Sequence, residues 1–195
     1  MGAVKRLQIV GFKNSGKTTL TERLLRLAAG RGLRASAIKH HGHGGPPEPP
    51  PAGTDASRFF EAGAASSIVA GGGVIVLQSR QPEADPGAGL DSLIRLTEAS
   101  AHPDLILIEG FKGAEYDKIA LLRSEADAEA LSGLRNVRLI LAPDDKLKTA
   151  LDGRFARGAA EDGRRRYPPL LLREENEQIE AWFDEWLKGD ANETL

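Results

Sequence analysis

Gly11-Phe12-Lys13-Asn14-Ser15-Gly16-Lys17-Thr18-Thr19-Leu20 fits the phosphate-loop spacing G-x-x-x-x-G-K-[ST] without a gap. Upstream, Leu7, Ile9 and Val10 form a short apolar run that predicts a buried strand. Downstream, Leu20, Leu24, Leu25 and Leu27 recur at helical spacing. The loop therefore joins a strand to a helix. A helix start leaves backbone N–H groups without intrahelical partners and carries the positive end of the macrodipole, so an anion is stabilised there. Gly11 and Gly16 keep side chains away from that anion, which lets the amides from Lys13, Asn14 and Ser15 onward point at phosphate oxygens. Lys17 is placed to reach the β- and γ-phosphates, its side chain extending to solvent when no ligand is present. The Thr18 hydroxyl is placed to ligate a bridging Mg²⁺, and Thr19 adds a hydroxyl near the α-phosphate.

The chain of 195 residues is long enough to bury a sizeable core without disulfides or a structural metal, and one α/β domain over 1–195 is expected. With no cysteine, thiol catalysis and thiolate metal sites are excluded. The formal charge of −2 argues against a general nucleic-acid binder. The first residues lack an apolar signal core, Arg6 stands where a myristoylation site needs Ser or Thr, and no apolar run approaches the roughly eighteen residues of a membrane span. A cytoplasmic protein without membrane attachment is the expectation.

After the first helix, which Gly30 and Gly32 end, Ala35 to Ile38 predict a second strand closing at Lys39. Strand, helix and strand make a right-handed βαβ unit with parallel strands. The following Gly- and Pro-rich segment is a loop at the carboxyl end of that strand, and it carries His40, His41 and His43. Three readings stand for it: capture of a transition metal by imidazole, polar contacts to phosphate, or a solvated loop. Asp55 opens a helical stretch to Gly63, either helping to cap it or contacting the Mg²⁺. Ser67 to Ala70 and Val74 to Leu77 predict two short strands around Gly71-Gly72-Gly73, and a helix begins near Leu90.

Leu105-Ile106-Leu107-Ile108 is a continuous apolar run ending in Glu109, which suits a fully buried parallel strand with a carboxylate at its end. This is the position of a Walker B acid, able to hold the metal or orient an attacking water; Lys17 and Glu109 are thus the candidate catalytic pair, and Thr18, Asp55 and Glu109 the candidate metal ligands. Further strands are predicted at Lys118–Leu122 and Val137–Ala142, with a short helix from Asp127 to Leu134. No Asn-Lys-x-Asp motif for guanine is present; Asp144 is either a substitute base contact or a turn residue after Pro143. Residues 145–170 read as a variable polar connection, and a C-terminal helix over 174–188 places Ile179, Trp182, Phe183 and Trp186 on one face as core or subunit contact. The pattern as a whole predicts an α/β, P-loop NTPase-like three-layer sandwich with a mostly parallel central sheet.

Four segments together carry a resemblance to a known family: Gly11 to Thr19; Ile38-Lys39-His40 with His43; Asp55 to Ala64 with Arg58 and Ala62-Gly63-Ala64; and Leu107-Ile108-Glu109-Gly110-Phe111-Lys112. They span about the first 125 residues, and in them the chain resembles the molybdopterin-guanine dinucleotide biosynthesis adaptor proteins of the MobB family. The resemblance implies a dimer that binds GTP with Mg²⁺, hydrolyses it slowly if at all, and assists a MobA-like guanylyltransferase that joins GMP to molybdopterin. The chain departs from the family pattern at Gly44-Gly45-Pro46-Pro47-Glu48, where acids are expected, and at Pro51-Ala52-Gly53-Thr54-Asp55, which lacks a lysine. Two other readings of the residues are a nickel- or zinc-delivering GTPase, from the histidines, and a small-molecule kinase on the same fold.

Overall fold

The computed structural model describes residues 3–41, 53–80, 88–157 and 167–189, with the backbone alone for 88, 156 and 157. The element order is β1 (Lys5–Gly11), α1 (Lys17–Gly30), β2 (Ala35–Lys39), α2 (Asp55–Glu61), β3 (Ser66–Gly71), β4 (Val74–Ser79), α3 (Ala88–Ala101), β5 (Leu105–Glu109), β6 (Asp117–Leu121), α4 (Glu125–Ala130), β7 (Val137–Ala142), α5 (Asp145–Arg157), β8 (Leu170–Leu172) and α6 (Asn176–Lys188). By its internal contacts the chain divides into two compact units, Met1–His40 with Leu90–Leu195, and His41–Gly89.

The first unit is built on a six-stranded sheet in the order β2-β5-β1-β6-β7-β8, and every neighbouring pair is parallel. Alternation along the strands sorts side chains onto its two faces. Leu7, Ile9, Leu105, Leu107, Ile119, Leu121, Leu139 and Leu141 face Leu20 and Leu24 of α1 and Ile179, Phe183 and Trp186 of α6. On the other face, Ile106 and Ile108 meet Leu90 and Ile94 of α3, while Leu122, Ala142 and Leu172 meet Leu131, Leu147 and Leu151 around α4 and α5. Burying each large aliphatic side chain contributes roughly 1.5–3 kcal/mol, so the sheet is held from both sides. Helices on both faces of a parallel sheet make the three-layer α/β sandwich that the strand-loop-helix pattern predicts.

Two expectations are corrected. Residues 145–157 are no polar connection: α5 runs through them, with Leu147 and Leu151 buried, and β8 adds an edge strand at 170–172. The short helix expected to Leu134 ends at Ala130. In α6, Ile179, Phe183 and Trp186 are core, and Trp186 also donates from Nε1 to Asp117 Oδ2 at 2.9 Å; Trp182 is only half-buried.

The second unit contains α2 and the β3–β4 ribbon. Thr54 caps α2 by accepting from the Ser57 amide at 3.3 Å. β3 and β4 pair antiparallel through a two-residue turn, Gly72-Gly73, whose φ values of 57° and 79° belong to the primed turns that match strand twist. Ile68, Val69, Val74, Ile75 and Val76 are all exposed, so apolar side chains cover both faces of this ribbon.

Candidate functional site

The register of the parallel sheet assembles the site. Ile9 and Lys39 both lie opposite Glu109, so the ends of β1, β2 and β5 come to one level beside the loop 11–17. That loop is shaped by close approach. A Cβ on Gly11 would lie 2.5 Å from Ser15 Oγ and 2.7 Å from the Leu121 carbonyl oxygen. Asn14 and Gly16 take left-handed conformations, φ 60° and 89°, and between them the Ser15 amide donates to the Phe12 carbonyl at 3.2 Å, closing a tight turn ahead of α1. No side chain caps α1 and no acid lies in its first turn, so the positive end of its dipole faces the loop uncompensated. Ser15 is fully buried and its Oγ has no hydrogen-bond partner among the described atoms, which fits a cradle whose hydroxyl serves a bound anion. Lys13, Asn14, Thr18 and Thr19 are exposed around it.

Lys17 does not extend to solvent as expected. Its ammonium folds back and donates to the Phe12 carbonyl at 2.7 Å. Burial holds this ammonium below the ordinary lysine range; Glu109 acts in the opposite direction, while Lys112, Lys39 and Arg123 reinforce the lowering. The Thr18 hydroxyl donates to Glu109, 3.1 Å from Oε2 and 3.3 Å from Oε1, and Glu109 is almost fully buried. A hydroxyl and a carboxylate at this separation are hard oxygen donors of the kind Mg²⁺ takes, so the residues present fit that ion. Lys39 completes the group, its ammonium 3.3 Å from Thr18 Oγ1 and 3.5 Å from Glu109 Oε1.

Further side chains frame the loop, among them Arg123 and Arg173, which the sequence did not single out. The Phe12 ring meets two cations, with Lys112 Nζ 3.9 Å and the Arg123 guanidinium carbon 5.1 Å from its centroid. Arg123 donates from Nη1 to the Lys13 carbonyl at 3.0 Å and grips Asp127 through Nε at 2.7 Å and Nη2 at 2.8 Å. The bond from Arg123 holds the Asp127 carboxyl below the usual carboxylate range. Arg173, at the end of β8, approaches Gly16 and donates to the Leu122 carbonyl; burial lowers its pKa.

Beneath the segment after Glu109, two buried polar side chains hold its carbonyls. Gln8 Nε2 donates to Gly110 O at 3.1 Å and Phe111 O at 2.8 Å, and Lys118 Nζ donates to Ala114 O at 2.5 Å and Tyr116 O at 2.9 Å. These anchors fix the stretch that carries Lys112, in which Phe111 is held at a positive φ of 50°.

The remaining candidates lie as follows. Asp144 Oδ1 accepts from the Leu147 amide at 2.8 Å and so caps α5 at the end of β7. Asp55 opens α2 in the second unit, 3.6 Å from Arg58. The His40 ring packs on Phe111, centroids 4.7 Å apart; His41 is exposed, and His43 lies outside the described residues. Among the described residues no group of three or more His, Asp or Glu is placed to hold a metal ion, and no helix is long and apolar enough to cross a membrane.

The family model for molybdopterin guanine dinucleotide synthesis protein B, MobB, matches residues 6–142, from within β1 to the end of β7. The chain belongs to the MobB family. A probable molybdopterin-guanine dinucleotide biosynthesis adapter protein of Bacillus subtilis is 41% identical over 134 residues, which cover 69% of this chain and 74% of the relative. Among solved structures, Bacillus subtilis MobB superposes with a TM-score of 0.68 and 31% identity, covering 93% of this chain and 97% of its own. A MobB homolog from Bacillus stearothermophilus gives a TM-score of 0.66 and 27% identity, covering 94% and 98%. The phosphate loop, Lys39, Glu109 and Lys112 of this MobB-family chain all lie inside the matched segment, whereas α5, β8 with Arg173, and α6 lie beyond it.

Proposed function

We propose that this MobB-family adapter binds GTP together with Mg²⁺ and holds it for the guanylyltransferase that attaches GMP to molybdopterin, hydrolysing it slowly if at all. The observation that carries the reading is the meeting of Lys17, Thr18 and Glu109 at the head of an uncapped helix. The amides of the loop and of the first turn of α1, apart from the Ser15 amide that donates to the Phe12 carbonyl, would take the phosphate oxygens, and Lys17 would leave that carbonyl for the β- and γ-phosphates. Thr18 and Glu109 would hold Mg²⁺, which supplies charge neutralisation across those phosphates.

Slow hydrolysis is supported by the arginines near the loop, since Arg123 is bound by Asp127 and the Lys13 carbonyl and Arg173 by the Leu122 carbonyl. An arginine free to reach the transferring phosphoryl group is worth on the order of 10³ to 10⁵ in rate. The homodimer is supported by the second unit. A two-stranded ribbon with apolar residues on both faces has little stability alone, and an identical ribbon is self-complementary to it under twofold symmetry.

Calorimetric titration with GTP, ATP and GDP, with and without Mg²⁺, tests the reading. GTP binding strengthened by Mg²⁺ and preferred over ATP is the expected result. Absence of any nucleotide binding, or turnover by the isolated protein at the roughly 1–100 s⁻¹ of dedicated phosphoryl-transfer enzymes, would overturn it.

A further inference from the structure

Lys39 is the last residue of β2, and the parallel register sets it opposite Glu109. Its side chain is 60% exposed, so a flexible ammonium in that position has free access to water. Instead it turns inward over a carboxylate whose side chain is 9% exposed, 3.5 Å from Glu109 Oε1 and 3.3 Å from Thr18 Oγ1. These are the same two oxygen donors that fit a divalent ion. A nearly buried carboxylate is costly unless a cation neutralises it. The Lys17 ammonium, at the head of α1, is engaged with the Phe12 carbonyl.

We propose that Lys39 is a tethered counter-cation for the metal position. In the nucleotide-free protein its ammonium holds the Thr18 hydroxyl and the Glu109 carboxylate in the place of a divalent ion. The inference rests on the reading that the loop binds a nucleoside triphosphate with such an ion. An ammonium and a divalent cation repel strongly at this range, so arrival of the ion displaces Lys39. The long stem of the side chain lets the ammonium swing onto the phosphate oxygens that arrive with the ion. Two consequences follow from this exchange. Lys39 suppresses metal binding when no nucleotide is bound, and it supplies part of the positive charge a polyphosphate needs when no metal is bound. Lys39 is a positioning residue in the first state and a phosphate ligand in the second.

The test uses Lys39→Met, which keeps the stem and removes the charge, and Lys39→Arg, which keeps the charge, with circular dichroism to confirm that both fold. Binding of Mn²⁺ to the nucleotide-free protein is read from the electron paramagnetic resonance of the free ion. Binding of GTP is read by calorimetry in EDTA and in saturating Mg²⁺. Lys39→Met is expected to bind Mn²⁺ at least about threefold more tightly than the wild type, as removal of a competing cation requires. Its loss of GTP affinity in EDTA should exceed its loss in Mg²⁺ by about tenfold, the scale of one charge-assisted contact, and Lys39→Arg should restore most of the EDTA affinity. Unchanged Mn²⁺ affinity, or equal losses of GTP affinity with and without Mg²⁺, would overturn the proposal. The Mn²⁺ arm uses no nucleotide, so a wild type that binds none would defeat the proposed function while the Mn²⁺ result still decides the role of Lys39.

Discussion

Replacing Gly11 by alanine adds one methyl group at the tightest point of the phosphate loop. That carbon would lie 2.5 Å from Ser15 Oγ and 2.7 Å from the Leu121 carbonyl oxygen, about 0.7 Å or more inside ordinary contact distance. Neither neighbour yields easily. Ser15 is fully buried in the loop, and the Leu121 carbonyl belongs to β6, which pairs with β1 on one side and β7 on the other. Overpacking of this kind costs typically 1–3 kcal/mol, and the backbone carbonyl puts Gly11→Ala near 3 kcal/mol. With a urea slope of roughly 1–3 kcal/mol per molar, the unfolding midpoint should fall by about 1 M or more. Calorimetry on the folded variant should show nucleotide affinity reduced by more than about tenfold, because displacing this corner shifts the backbone of the whole loop that leads into α1. A midpoint within about 0.3 M of the wild type together with unchanged nucleotide affinity would refute the steric account of the cradle.

Lys17→Ala should abolish nucleotide binding while leaving the fold intact, since it removes one bond to the Phe12 carbonyl; calorimetry and circular dichroism check both halves. Asp127, whose carboxyl Arg123 holds below the usual range, gives stability that is fully present above about pH 4 and is lost as the pH falls through its lowered folded value. Asp127→Asn should therefore flatten that part of the acid unfolding profile, measured by urea titration between pH 2 and 5. Gly153→Ala, inside α5 with open space where the methyl group would go, should raise stability by about 0.5–1 kcal/mol in the same assay. If the proposed dimer forms through the ribbon, the wild type should sediment as a dimer and Ile68→Asp with Ile75→Asp as monomers in sedimentation velocity, since the two substitutions put charge onto the apolar ribbon.

Contiguous signals in the sequence located the loop and the strand-end acid of the candidate site. The phosphate loop and Glu109 at the end of four apolar residues announce themselves by local spacing, and the sheet register then brings them together with Lys39, which the sequence marks only as the close of the second strand. What escaped was long-range or diluted. In α5, Leu147, Leu151 and Phe155 stand four residues apart, a helical period hidden among Asp, Lys and Arg, so polar composition outweighed a weak stripe. β8 is only three residues long and follows Pro168-Pro169, which mark a break in a pattern scan yet suit the start of an edge strand. Nothing local marks Gln8 or Lys118 in their apolar strands, and only the tertiary structure shows that they hold the carbonyls of the segment after Glu109. Arg123 and Arg173 reach the loop from positions far along the chain, and no local motif marks such a residue. The expectation for Lys17 failed for a related reason: without phosphate, the nearest acceptor is the loop's own carbonyl.

The central place of β1 also governs when this site can come into being on the ribosome. Its flanking partners are β5 and β6, and Gln8 meets Gly110 across 102 residues of chain. Throughout synthesis of that interval the nascent chain carries Leu7, Ile9 and Val10 with no neighbouring strand to bury them, a state that invites association with other unfinished chains or capture by a chaperone. Arg173 and the Trp186 that packs on the sheet emerge later still. The candidate phosphate loop is thus synthesised well before the strands and side chains that fix it in place.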